Sequence, residues 1–228
     1  MRHGGKILVD QLGIQGVTRV FSVPGESFLA ALDGLYDCDI QNIVCRQEGG
    51  AAMMAEAHGK MTGQPGVLFV TRGPGATNAS AGIHIAKQDS TPMVVFVGQI
   101  ARAHRDREAF QEVDYRAMFG TVAKWAAEVD QIERLPEYIS RAFHIAVSGR
   151  PGPVVLALPE DMLSGFADVA DLHPHRSPMP SAPDRLPRFR RPLPAQSDHL
   201  LWRAVLAGRR TRPTTLPGSP KAGGCRSR

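Results

Sequence analysis

Cysteine is scarce in this chain of 228 residues. Cys38, Cys45 and Cys225 are too few and too irregularly spaced for a disulfide framework or a four-ligand zinc site, so a reduced, cytoplasmic setting is expected. Long apolar runs are missing as well. No stretch approaches ~18 uninterrupted apolar residues, and the opening MRHGGKILVDQLG lacks an apolar h-region, so neither a membrane span nor a signal peptide is expected. Metal-ligand spacing is absent among His58, His84, His104 and His144. Basic charge is lacking where a core could form: residues 1–171 carry 15 Lys+Arg against 20 Asp+Glu, whereas residues 172–228 carry 12 against 2. The overall charge of +5 therefore belongs to the tail. Its arginines sit among prolines without a recognisable binding motif, so no nucleic-acid partner is expected.

What is present is a rhythm. Short apolar, β-branched runs recur at 17–23, 41–45, 67–71, 93–98, 121–127 and 154–158, and they predict strands. Segments with helical spacing lie between them, such as Phe28, Leu29, Leu32 and Leu35, or Ala51, Met54, Ala55 and His58, or Ile132, Leu135, Ile139 and Phe143. Runs that are apolar on both faces, like VVFVG, suit strands covered by helices on each side. The pattern predicts an α/β fold: a doubly wound, mostly parallel six-stranded sheet with helices on both faces. That domain is expected to occupy residues 1–168. Ten of the 18 prolines lie between residues 172 and 228, so residues 169–228 read as a Pro/Arg-rich linker followed by a disordered basic tail. Such an Arg/Pro/Gly/Ser-rich end also arises when a GC-rich gene is read out of frame.

In a doubly wound sheet a ligand binds beyond the carboxyl ends of the strands. Three turns are predicted there. Pro24 and Gly25, in FSVPGES, allow a tight turn and a close backbone approach. The second strand delivers Glu48 to the first turn of a helix beginning EGGAA. This carboxylate has two readings, a partner of the helix dipole or an acid facing a ligand cleft in which the small neighbours leave room for a flat ring. The third strand opens into RGPGATN, residues 72–78, a Gly-rich turn of the kind that cradles anions at a helix N-terminus. Gly73-x-Gly75 partly matches the dinucleotide fingerprint, but Asn78 stands where a third glycine belongs.

The order of the blocks is more specific than any one of them: VPG, RQEGGAAMMAEAHGK, TRGPGATN, DSTPMVVFVGQ, AFQEVD, KW and GRPGPVVLALPEDM. In this order the chain closely resembles the N-terminal pyrimidine-binding domain of thiamine diphosphate-dependent enzymes, most of all the acetolactate synthase group, over residues 4 to 165. The resemblance implies thiamine diphosphate as cofactor. A glutamate at the position of Glu48 hydrogen-bonds N1′ of the aminopyrimidine and favours its imino tautomer, which removes the thiazolium C2 proton and makes the ylid that attacks a 2-keto acid. Pro24, Gly25, Thr71, Gly75 and Asn78 are implied to line the pyrimidine pocket. Glu26, Arg72, Phe110, Gln111 and Lys124 are implied on the substrate side, and Phe110-Gln111 favours carboligation over simple decarboxylation.

The chain also departs from its relatives. Gln47 stands where many have histidine, and Arg72 replaces a small residue; Arg72 either binds a substrate carboxylate or caps its turn. Lys124 is a subgroup marker or a strand-end charge. No Gly-Asp-Gly motif for magnesium and the diphosphate occurs, and the middle domain that holds much of FAD is missing. The expectation is a truncated chain holding half a site, with a 2-keto acid substrate and a homo-oligomer or partner chain supplying the diphosphate domain. The alternatives are an inactive split or truncated fragment acting as an interaction module, and a nucleotide-binding α/β domain.

Overall fold

The computed structural model describes residues 1–174. In chain order the elements are β1 (Arg2–His3), α1 (Gly4–Ile14), β2 (Arg19–Ser22), α2 (Leu29–Tyr36), β3 (Gln41–Val44), α3 (Glu48–Thr62), β4 (Gly66–Val70), α4 (Pro74–Asp89), β5 (Met93–Gln99), α5 (Tyr115–Phe119), β6 (Trp125–Glu128), α6 (Leu135–Val147), β7 (Pro153–Pro159), α7 (Glu160–Ser164) and β8 (Phe166–Ala167). Six of the strands form one sheet in the order β3-β2-β4-β5-β7-β6, and every neighbouring pair in it is parallel.

The two-sided apolar runs explain the layers. Side chains alternate across a strand, so on β5 Val94 and Phe96 join one core while Met93, Val95 and Val97 join the other. The first core is roofed by Ile7, Leu8 and Leu12 of α1, Leu35 of α2, Ile139 and Phe143 of α6, and Met162 and Leu163 of α7. The second is roofed by α3 and α4 with small residues, Ala51, Ala52, Ala55, Ala76 and Ala79, and by Tyr115 and Phe119 of α5. Small residues let α3 and α4 lie close: a Cβ on Gly82 would come within 2.5 Å of the Cβ of Ala52. Both helices start at the carboxyl ends of their preceding strands, so their first turns are side by side.

All six expected strands are present, two of them shortened: β2 covers only Arg19–Ser22 of the expected 17–23, and β6 begins at Trp125. Residues 121–124 do not extend β6, because Val122 and Ala123 donate back to the carbonyl of Phe119 and close α5. A second, two-stranded antiparallel sheet was not expected: Arg2 pairs with Ala167 and His3 with Phe166. Two-residue strands carry no periodicity to read. Residues just past 168 are held in place. Arg2 donates to the carbonyl of Val169 and to Asp171, and the Gln11 side chain exchanges two hydrogen bonds with the backbone of Leu172. The rest of the expected linker and tail, residues 175–228, lies outside the described residues.

The strand order reverses at β2. The chain steps from β2 out to the edge strand β3, then returns to the other side of β2 with β4. The crevice between the carboxyl ends of β2 and β4 is therefore the switch point of the sheet, where open α/β folds bind ligands.

Candidate active site

Three strand ends converge at that crevice. The turn after β2 brings Gly25 against Thr71, the residue after β4, so closely that a Cβ on Gly25 would fall 2.4 Å from the Cβ of Thr71. Gly75, in the first turn of α4, also packs on this threonine: its Cβ would lie 2.8 Å from Thr71 Cγ2 and 3.5 Å from Glu48 Oε1. Glu48 opens α3. The preceding Gln47 caps this helix, its side-chain oxygen accepting from the Gly50 N–H at 2.8 Å, which leaves the Glu48 carboxylate free to turn toward α4. There Asn78 donates its amide N–H to Glu48 Oε2 at 3.0 Å. Gly25, Thr71, Gly75, Asn78 and Glu48 thus form one group, with Pro24 in the turn beside it and a half-buried carboxylate at its centre.

A second layer fixes the crevice. Ser27 is fully buried, shares a hydrogen bond of 2.8 Å with the Thr71 hydroxyl and accepts from the Arg72 N–H at 3.3 Å. The Tyr115 hydroxyl accepts from the Gly73 N–H at 2.8 Å, and its burial pushes the phenol pKa up, so it stays protonated. Gly73 has φ +58° and ψ −111°, a conformation that a side chain would strain, and Gln111 packs onto it. Gln111 therefore lies beside the site turn, whereas Phe110 on the same loop is 77% exposed. The loop is braced by Glu112, which accepts from the N–H groups of Asp106 and Ala109; these bonds hold its carboxyl below the usual carboxylate range.

Arg72 is buried and spans two carboxylates, donating to Glu26 at 2.6 Å and to Glu160 at 2.8 Å. Glu26 and Glu160 line a cleft of about 340 Å³ together with Ser27, Ala101 and Asp161. Lys124 is not brought to this group. It precedes the amino end of β6, at the opposite end of the sheet, where its ammonium donates to the carbonyls of Ile145 and Ser148 and caps α6.

Comparison with known proteins bears on what this group is for. The family model of thiamine pyrophosphate enzymes, N-terminal TPP binding domain, matches residues 2–118. The chain belongs to this family. The thiamine pyrophosphate-binding domain is 40% identical over 183 residues to the catabolic acetolactate synthase of Raoultella terrigena, covering 80% of this chain and 33% of that protein. It is 36% identical over 186 residues to the acetolactate synthase of Bacillus subtilis, covering 81% of this chain and 33% of that protein. It is 39% identical over 167 residues to the acetolactate synthase isozyme 2 large subunit of Escherichia coli, covering 73% of this chain and 30% of that protein. The chain spans about a third of the length of these relatives.

The sequence did not single out three residues that the structure brings to this group: Ser27, Tyr115 and Glu160. Ser27 and Glu160 stand inside quoted blocks, PGES and PEDM, but a serine or glutamate next to a turn carries no signal of its own. Only the meeting of strand ends shows that they face Thr71 and Arg72.

Proposed function

We propose that this domain holds the aminopyrimidine half of thiamine diphosphate against Glu48, as part of an acetolactate synthase-like enzyme that decarboxylates and joins 2-keto acids. The observation that supports this most is the Glu48 carboxylate, poised by Asn78 at the switch-point crevice beside the glycine-lined wall of Gly25, Thr71 and Gly75. The bare backbone at Gly25 and Gly75 lets both turns close on Thr71, and a flat ring would lie against the wall they make together. When bound, the cofactor supplies the nucleophilic carbon and the electron sink for the reaction. Glu48 then donates or accepts one proton at a ring nitrogen, and the Asn78 amide, which can only donate to it, keeps its other oxygen free for that task. Glu26 and Gln111 stand at the substrate side of this reading, Gln111 against Gly73.

Magnesium, the diphosphate and, in the acetolactate synthase group, FAD are assigned to the rest of the complete enzyme. The partner supplying them is a second copy or another chain, and the working place is the cytoplasm. No helix among the described residues is long and apolar enough to cross a membrane.

Glu48→Gln tests the reading. Glutamine keeps size and hydrogen bonding but cannot exchange a proton, so in the complete enzyme the exchange of the cofactor's C2 proton for deuterium should slow by ~100- to 10,000-fold. A helix-dipole partner alone would cost only about 0.3–1 kcal/mol of stability and leave exchange unchanged. Equal exchange rates in the two proteins would therefore remove Glu48 from the chemistry.

A further inference from the structure

Among the described residues Arg72 is the one buried arginine, its side chain 9% exposed, and it ties together the ends of three strands. It follows β4, Glu26 follows β2, and Glu160 follows β7. Its terminal nitrogens are each taken by one carboxylate, at 2.6 Å and 2.8 Å. The remaining nitrogen, Nε, is sealed from solvent and has no hydrogen-bond partner. An incoming carboxylate would thus meet a guanidinium that is almost wholly buried and already shared by two others, with its Nε–H out of reach. The two partners differ in exposure: the Glu26 side chain is 65% exposed and that of Glu160 40%. An exposed glutamate samples several rotamers unless it is tied. Glu26 is tied, through the nitrogen of a planar fork whose other arm is anchored on Glu160. Glu26 also directly follows Gly25, the residue that packs on Thr71, so the tie acts at the lip of the crevice.

We propose that Arg72 is a positioning residue: anchored on Glu160, it holds the Glu26 carboxylate in one orientation at the mouth of the cleft and does not itself bind the substrate's carboxylate. The inference rests on reading the Glu48 crevice as the pyrimidine site. It reverses the simplest expectation for an arginine in an enzyme of keto acids. What this rim offers to a substrate is a fixed hydrogen-bond acceptor with negative charge, suited to a hydroxyl or another donor group.

The full chain, labelled with carbon-13 and nitrogen-15, tests this by magnetic resonance with two probes, thiamine and pyruvate. Thiamine at millimolar concentration should shift the carboxyl carbons of both Glu48 and Glu26. In Arg72→Met the Glu48 response should persist while the Glu26 response is lost. Glu160→Gln, which keeps the arginine and frees it on one side, should weaken the Glu26 response and serves if Arg72→Met does not fold. Pyruvate should leave the Arg72 Nε–Hε signal unmoved. A Glu26 response unchanged in both variants would overturn the positioning role, as would a saturable shift of the Arg72 signal by pyruvate. A Glu48 carboxyl that ignores thiamine would instead overturn the pyrimidine-site reading beneath it, which the other two outcomes leave standing.

Discussion

At Gly25 and Gly13 the same substitution meets opposite surroundings. A methyl group at Gly25 would sit 2.4 Å from the Thr71 Cβ, and neither backbone can withdraw without opening the crevice. Gly25→Ala is expected to destabilise the domain by about 1–3 kcal/mol, the range for overpacking a tight contact. Gly13, in α1, has nothing within 4 Å of its would-be Cβ. Gly13→Ala should stabilise by up to about 1 kcal/mol, because alanine loses less backbone entropy in a helix. Urea midpoints of the two variants decide it: movement in the same direction would show that the Gly25–Thr71 contact is not tight in solution. The residue scale is also where the site was most legible beforehand. Gly25, Thr71, Gly75, Asn78 and Glu48 stand in recognisable blocks, and the structure gathers all five. Phe110 and Lys124 stand in such blocks too, yet one faces solvent and the other lies at the far end of the sheet.

Lys124 shows its role at the scale of the element. Helix α6 ends in carbonyls that no helical N–H satisfies, and the ammonium supplies donors to those of Ile145 and Ser148 while its stem crosses Gly152. Burial lowers the lysine pKa, and the charge of Lys87 lowers it further. The folded state therefore holds this proton less tightly than the unfolded chain. Between the folded value and the ordinary lysine value the unfolded chain binds more protons, so this residue makes stability rise with pH across that window. Lys124→Met should flatten the rise, as read from urea midpoints at neutral pH and at steps toward the ordinary lysine value. Parallel curves for the two proteins would show that the ammonium is free in solution. An N-terminal counterpart is Asp114, which accepts from the N–H groups of Arg116 and Ala117 and starts α5.

Across the whole molecule, stability rests on a sheet with a core on each face. On the face roofed by α1, α2 and α6, Phe69 of β4 stacks on Phe96 of β5 with ring centroids 4.8 Å apart, and Phe28 closes on Phe69 at 5.8 Å. Both strands are central, so these rings have no exposed side toward which to relax. Phe69→Ala and Phe96→Ala should each cost about 3–5 kcal/mol. The double variant should cost less than their sum, because each ring loses the other only once. Strict additivity in calorimetry or urea titration would show that the stack contributes nothing beyond separate burial.

The sequence by itself determined the alternation of strands and helices, the parallel sheet and the chemistry of its turns. These follow from short-range causes: side-chain alternation along a strand, helical spacing, and the bare backbone of glycine at a strand end. The position of Glu48 at the start of a helix was set in the same way. Tertiary structure alone decided the rest. It inserted β7 between β5 and β6, paired β1 with β8, and placed Lys124 under α6. It also joined Arg72 to Glu160, 88 residues further along the chain, and to Glu26, 46 residues before it. A charge in a sequence has many candidate partners, and only the order in which strands enter a sheet selects those that meet.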